Sequence, residues 1–271
     1  MPMSTKKFQD IIWAYYKKHR RDLAWRRTRD PYRILVSEMM LQQTQALRVE
    51  PKYESFLKKF PTTKALAAAK LEDVLREWQG LGYNRRALFL KRCAEIIERD
   101  FGGEFVKDFK TLCTLPGIGP ATAGDLMIFA WNMPMVVIET NVRSVFIHFF
   151  FPDKEKVSDK EILPLIENTL DTRNPREWYA ALFDYGAYLK RTSNPSRKST
   201  HHVKQTTFVG SYRQKRARVL QTILEKPLSG DAINKILKYD SDVVKKILID
   251  LENEGFVRKT TRKGMTMYAI T

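Results

Sequence analysis

Residues 115–123 read Leu115-Pro116-Gly117-Ile118-Gly119-Pro120-Ala121-Thr122-Ala123. An apolar helical pattern ending near Leu112 passes here through a glycine-containing turn into a second helix that starts around Pro120. Two glycines allow positive φ and let the backbone approach a ligand closely. Proline suits the first helical position, where its missing N–H is no loss. The unpaired amides that follow make a compact anion site. A plain helix connection accounts for Gly-x-Gly alone; Leu-Pro before it, Thr-Ala after it and the basic chain around it favour the anion-binding reading.

Outward from this turn, almost every segment up to residue 190 is helical in pattern. Phe8, Ile11, Ile12, Tyr15 and Tyr16 recur at helical spacing, as do Leu35, Val36, Met39 and Met40, then Leu66, Leu71, Val74, Leu75 and Trp78. Ser37, inside one of these patterns, reads as packed rather than capping. Breakers fall between the patterns at Asp30-Pro31, Phe60-Pro61, Gly80-Leu81-Gly82 and Gly102-Gly103. The spacing predicts a mainly α domain of many short helices over 1–190.

Residues 185–224 carry nine Lys or Arg and no Asp or Glu. Within them, 191–210 lacks helical periodicity and reads as a basic linker that follows phosphates. A second unit, 211–271, begins with a helix marked by Val219, Leu220, Ile223 and Leu224. Ser229 is placed to cap a short second helix, Asp240 or Ser241 a third, and Gly255 to stop it. Phe256–Lys259 and Met265–Ile270 read as two strands. Three helices and a hairpin resemble a winged-helix module. Its third helix mixes Lys245 and Lys246 with several acids, so the hairpin residues Arg258, Lys259, Arg262 and Lys263 are the better phosphate contacts. A protein-interaction role for this module stays open.

The charge agrees with a polyanion partner. Lys and Arg number 48 against 31 Asp and Glu, a formal net charge of +17. Each neutralised phosphate releases condensed counterions, which favours binding. Two cysteines, Cys93 and Cys113, sit in apolar helical patterns and read as buried reduced thiols; they exclude a disulfide framework and a four-cysteine metal site. His201-His202 has no paired ligands nearby and reads as loop. With no long apolar run and no signal-peptide pattern, the expectation is a monomeric, cytoplasmic, nucleoid-associated protein without a membrane partner.

Three blocks carry a family resemblance. The first is Asp30-Pro31-Tyr32-Arg33 followed by Val36-Ser37-Glu38-Met39-Met40-Leu41-Gln42-Gln43-Thr44-Gln45. The second is Trp78-Gln79-Gly80-Leu81-Gly82-Tyr83-Asn84-Arg85-Arg86-Ala87. The third is the turn above together with Ile138-Glu139-Thr140-Asn141-Val142-Arg143. Over residues 8–190 they resemble the MutY-type adenine DNA glycosylases of the helix-hairpin-helix, endonuclease III superfamily. The resemblance implies two helical lobes around a basic cleft, with Glu38 on one side and the hairpin and Glu139 on the other. The partner it implies is double-stranded DNA containing a mispaired or damaged base.

Expelling a base needs a proton donor for the leaving group and a carboxylate for the developing positive charge on the sugar. The base must first leave the stack. Glu38 lies among Ile34, Leu35, Val36, Met39 and Leu41, where desolvation raises a carboxyl pKa and retains its proton; the resemblance makes it the acid that protonates adenine. Glu139 stands where the family has aspartate. The charge is kept and the side chain is longer by one methylene, so either the backbone has retreated or activity has changed; the resemblance gives it the oxocarbenium-stabilising or nucleophilic role. Asp125 and Asp184 are further acids on matching stretches, the latter read as a helix-end contact. Ala121 replaces the Schiff-base lysine of bifunctional relatives, which implies a monofunctional enzyme. The resemblance makes Tyr83 the aromatic wedged into the stack, places Gln43 and Thr44 near the opposing base, and gives DNA-backbone contacts to Arg85 and Arg86 and to the hairpin residues Gly117, Ile118, Gly119 and Thr122.

Two family features are missing from the pattern. The stretch after Asp184-Tyr185-Gly186-Ala187 has no cysteine, so no iron–sulfur cluster is expected. The winged-helix-like module stands where the family carries a domain that helps recognise 8-oxoguanine. The expected activity is removal of adenine opposite 8-oxoguanine or guanine. The alternatives are a same-fold glycosylase for mismatched thymine, uracil or an alkylated purine, and a non-catalytic DNA-binding regulator. Glu38 argues against the first alternative, and retention of acids at both 38 and 139 against the second.

Overall fold

The breakers read from the sequence are where helices begin and end in the computed structural model, which describes residues 3–204, 207–262 and 264–271. The helices are α1 (Thr5–His19), α2 (Pro31–Leu41), α3 (Ala46–Lys59), α4 (Thr63–Ala68), α5 (Leu71–Trp78), α6 (Arg85–Phe101), α7 (Phe109–Thr114), α8 (Pro120–Trp131), α9 (Thr140–Phe150), α10 (Asp159–Thr169), α11 (Pro175–Thr192), α12 (Tyr212–Glu225), α13 (Gly230–Leu237) and α14 (Ser241–Glu254). Asp30 starts α2 by accepting the Tyr32 amide at 2.8 Å, and Gly102 ends α6 in the left-handed region, φ +62°. Such caps satisfy amides and carbonyls that a helix leaves unpaired at its ends. The expectation of a mainly α chain holds.

The chain divides into two compact units, each built from two stretches. The first comprises Met1–Glu38 and Phe105–Lys204. Its centre is aromatic: Phe8 of α1 meets Phe146 of α9 at 5.2 Å and Trp178 of α11 at 5.9 Å between ring centroids. Trp178 is fully buried, and truncating such a side chain costs about 3–5 kcal/mol. The expected linker is partly folded into this unit. A 3-10 turn over Pro195–Lys198 buries Pro195 and Ser196, and Ser199 pairs with Val157 as a parallel bridge. Lys198 donates to the Pro152 carbonyl and faces Glu155, so it is not a free cation on a solvated strand. Gln205 and Thr206 lie outside the described residues.

The second unit comprises Met39–Glu104 and Gln205–Thr271. Phe56 of α3 packs on Phe60 and on Trp78 of α5. The C-terminal elements follow the expected order: Ser229 caps α13 by accepting the Ala232 amide, Asp240 caps α14, and Gly255 stops it at φ +85°. Strands β1 (Val257–Arg262) and β2 (Met265–Ile270) pair antiparallel, Val257 opposite Ile270 and Arg262 opposite Met265. Leu228 forms a further antiparallel bridge with Tyr268. The expected wing contact Lys263 lies outside the described residues, as does the side chain of Arg262. Cys93 is buried as expected; Cys113, at the end of the short helix α7, is only half-buried.

Candidate active site and nucleic-acid interface

The hairpin, Glu38 and Glu139 all belong to the first unit, which differs from the expected placement of Glu38 on a separate lobe. In the hairpin, Gly117 has φ +76°, but Gly119 is extended, φ −90° and ψ 179°, and is the N-cap of α8. Only the first glycine is therefore required by conformation. At Gly119 a Cβ would project into open space, so glycine there leaves the backbone uncovered where α8 begins. Pro120 holds the first helical position. Ile118 and Thr122 are buried and shape the turn from within.

Beyond the hairpin, α8 is almost wholly buried, and it approaches the extended residues before α9 unusually closely. A Cβ on Gly124 would fall 2.3 Å from Val137 Cγ2. On the other side, Tyr179 of α11 accepts the Val137 amide at 2.8 Å and donates to the Met135 carbonyl at 2.9 Å. Gly186 of α11 lets Asn141 approach in the same way, since a Cβ there would lie 2.4 Å from the Asn141 carbonyl oxygen. These contacts fix the segment that delivers Glu139.

Glu139 is the N-cap of α9. Its Oε1 accepts the Asn141 amide at 2.7 Å and the Val142 amide at 3.0 Å, and Oε2 lies 3.3 Å from Asn141 Nδ2. The extra methylene is thus taken up by the side chain curling back onto its own helix. Burial pushes its pKa up, while the two amides and the Arg143 charge oppose the rise. Glu38, partly buried on α2, is pushed up to about 8 by desolvation and by the Glu139 charge, against the pull of Arg26. Arg26 is itself paired with Asp184: both terminal nitrogens lie 2.8 Å from Asp184 oxygens. Asp184 also accepts the Arg21 amide at 3.0 Å, and despite its burial these arginines hold its carboxyl low. It anchors two arginines from within α11 and is not a contact at that helix's end.

Sequence reading left Asp125 without a role. It is 6% exposed, and its Oδ1 has no hydrogen-bond partner among the described residues. Desolvation and the charges of Glu38 and Glu139 raise its pKa well above normal, so a third buried acid acts electrostatically on the two that the sequence singled out. The i, i+4 spacing that puts Ala121 and Asp125 on one face of α8 was the available signal.

In the second unit, Arg86 is not a phosphate contact. It is 6% exposed, and its Nη1 donates to the Met39 and Met40 carbonyls at 2.8 Å and to Gln42 at 2.5 Å. Its Nη2 donates to Thr44 Oγ1 and the Gly82 carbonyl, both at 3.0 Å. It closes the C-terminal end of α2 and pins the Gly-Leu-Gly turn; burial brings its pKa down to about 10. Arg85, whose side chain is 56% exposed, pairs with Glu254 of α14 at 2.6 Å. Thr44 serves the Arg86 network, whereas Gln43 is exposed at φ +55°. Tyr83 is 40% exposed at φ +48°, with the Arg86 guanidinium 5.5 Å from its ring centroid. Leu47, 83% exposed four residues after Gln43, escaped the sequence reading because a lone apolar residue fits any helix pattern.

The residues after α11 do not fit an iron–sulfur cluster: the two cysteines of the chain lie on α6 and α7, and four thiolates are needed. No described helix is long and apolar enough to cross a membrane.

Residues 36–168 match the family model described as HhH-GPD superfamily base excision DNA repair protein. That segment holds Glu38, the hairpin and Glu139. It is similar to the adenine DNA glycosylase of Mycolicibacterium smegmatis, 39% identical over 187 residues, covering 68% of this chain and 64% of the relative. The adenine DNA glycosylase of Buchnera aphidicola subsp. Baizongia pistaciae is 33% identical over 192 residues, covering 69% of this chain and 54% of the relative. The chain therefore spans about half to two thirds of the length of these curated relatives. Among solved structures, a thermostable thymine-DNA glycosylase superposes with a TM-score of 0.60 at 26% identity, covering 68% of this chain and 86% of that one.

Proposed function

We propose that this protein is a monofunctional DNA N-glycosylase that removes adenine mispaired with 8-oxoguanine or guanine. Glu38 donates its proton to a purine ring nitrogen of the extruded adenine. The bond between the sugar's anomeric carbon and the base breaks, with its electron pair leaving on the base. The resulting oxocarbenium charge is met by the Glu139 carboxylate. Water adds to the anomeric carbon and loses a proton, leaving an abasic site. Two amides of α9 hold Glu139 Oε1, which supports a fixed carboxylate placed for electrostatic stabilisation. Ala121 offers no amine for Schiff-base chemistry, and an enzyme free of an iron–sulfur cluster is expected.

The observation that carries this reading is Glu38, its pKa pushed up to about 8 by burial and by the charge of Glu139, with Glu139 held as the N-cap of α9, in a segment that matches adenine DNA glycosylases. Duplexes with adenine, thymine or uracil opposite guanine or 8-oxoguanine test it. Strand breaks after alkali are expected at adenine; breaks only at another base defeat the assignment. A thymine preference is the second reading, favoured by the superposition on a thymine-DNA glycosylase.

A further inference from the structure

The C-terminal unit raises a separate question: which of its surfaces meets the duplex. Three arginines, Arg76, Arg85 and Arg92, stitch it to the α5–α6 side of its own compact unit, and Arg216 of α12 shares one of their partners. Arg85 and Arg216 both bind Glu254 of α14, at 2.6 and 2.7 Å. Arg92 donates to the Glu254 carbonyl at 3.1 Å, and Arg76 of α5 to the Leu224 carbonyl at the far end of α12 at 2.6 Å. The third helix of this winged-helix-like module is thereby used for docking inside its own unit.

These contacts set the direction of α12. Its first turn lies at the residues that precede α6, and its last turn lies at α5. Arg213 Nη1 is 3.1 Å from the Tyr83 hydroxyl oxygen, so a cation from the C-terminal module sits at the tip of the exposed aromatic. One turn before it, Phe208 and Val209 are 55% and 81% exposed. Arg258 of the wing lies elsewhere, in a concavity with Lys70, Leu71, Lys91 and Arg92. By helical rise, Arg92 is roughly 10 Å along α6 from Arg85. Lys259 is held by Glu252 at 2.7 Å.

We propose that the module binds duplex DNA through the start of α12, with Arg213 contacting the phosphate backbone beside the step into which Tyr83 inserts, and not through Arg258 or Lys259 of its wing. Aromatic and aliphatic groups interleaved with arginine form a surface suited to nucleic acid. A guanidinium at the phenol oxygen is carried to the stack whenever the ring enters it. Sequence reading pointed to the wing because its basic residues are concentrated there; of these, Arg258 lines the concavity with residues of α5 and α6 and Lys259 is paired with Glu252.

This inference rests on the DNA-glycosylase reading, and the test separates the two. Binding is measured by fluorescence anisotropy in a Glu38→Gln background, with a duplex carrying adenine opposite 8-oxoguanine, over a series of salt concentrations. Arg213→Ala is expected to weaken binding about tenfold and to lower the salt slope by about one. Arg213→Lys restores the slope, and Arg258→Ala leaves both quantities unchanged. Melting curves establish that each variant is folded. Parental affinity and slope in Arg213→Ala, or a loss confined to Arg258→Ala, overturns the inference while adenine excision stands. Failure of the parent to bind any duplex overturns the glycosylase reading and this inference with it.

Discussion

Glu139 accepts the backbone amide of Asn141 at 2.7 Å, two residues along the helix it begins. This places a carboxylate at the positive end of α9, where the helix dipole favours negative charge. It also resolves how a longer acid occupies a position the resemblance gives to aspartate. The side chain folds back to cap the helix, as a shorter acid also does, so reach is not lost.

Glu139→Asp is therefore expected to retain base release within about tenfold, since aspartate is itself a good N-cap. Glu139→Gln keeps the shape and removes the charge; single-turnover rates should fall by about 10²–10³-fold. Glu139→Ala loses the cap as well, at about 1 kcal/mol, seen as a melting temperature lower by roughly 2–4 °C.

The pH profile of base release should be bell-shaped. Glu38 must carry its proton, and its pKa of about 8 places the alkaline limb there. Glu139 must be ionised, and burial raises it above the ordinary carboxylate value, so the acid limb lies above the usual range near 4.5. Stability follows the same sign. The unfolded chain releases the Glu38 proton above its ordinary pKa while the folded chain retains it, so stability falls as pH rises from about 4.5 toward 8. Glu38→Gln removes that penalty, and its melting temperature should exceed the parent's at pH 8 and not at pH 4. Equal differences at both pH values would contradict the assignment.

Asp184→Asn leaves Arg26, whose side chain is 9% exposed, without its counter-charge. Breaking such a buried pair costs about 3–5 kcal/mol. The freed Arg26 charge then pulls the Glu38 pKa down, so the alkaline limb should move below 8. A fall in stability with an unmoved limb would separate the anchoring of Arg26 from its electrostatic effect on Glu38.

Arg86→Lys tests the buried bridging role of that guanidinium. Lysine cannot reproduce a fork that reaches Met39, Met40 and Thr44 together, and stranded buried acceptors cost about 1–3 kcal/mol. Denaturant midpoints should fall while the salt slope of DNA binding stays at the parental value. A slope reduced by one charge in Arg86→Ala, with stability unchanged, would restore the phosphate-contact reading.

Local signals made much of this fold legible. Ser229, Asp240 and Gly255 act on their own helix ends, within three residues, and the C-terminal helices begin and end where those residues place them. The hairpin was readable because proline and glycine constrain the backbone directly. What escaped depends on partners distant in the chain. Arg86 and Met39 are 47 residues apart, and nothing in an Arg-Arg pair shows which guanidinium turns inward. The fold-back of Ser199 onto Val157 carries no periodicity. The cap made by Glu139 was hidden because glutamate at that place reads first as a longer aspartate.

The central claim is that Glu38 supplies the proton on which base departure depends. The most direct measurement is single-turnover release of adenine from a duplex with 8-oxoguanine opposite it, comparing the parent with Glu38→Gln at equal DNA occupancy. The account predicts release by the parent and none detectable by the variant, with duplex affinity retained. Release by Glu38→Gln at the parental rate would contradict it.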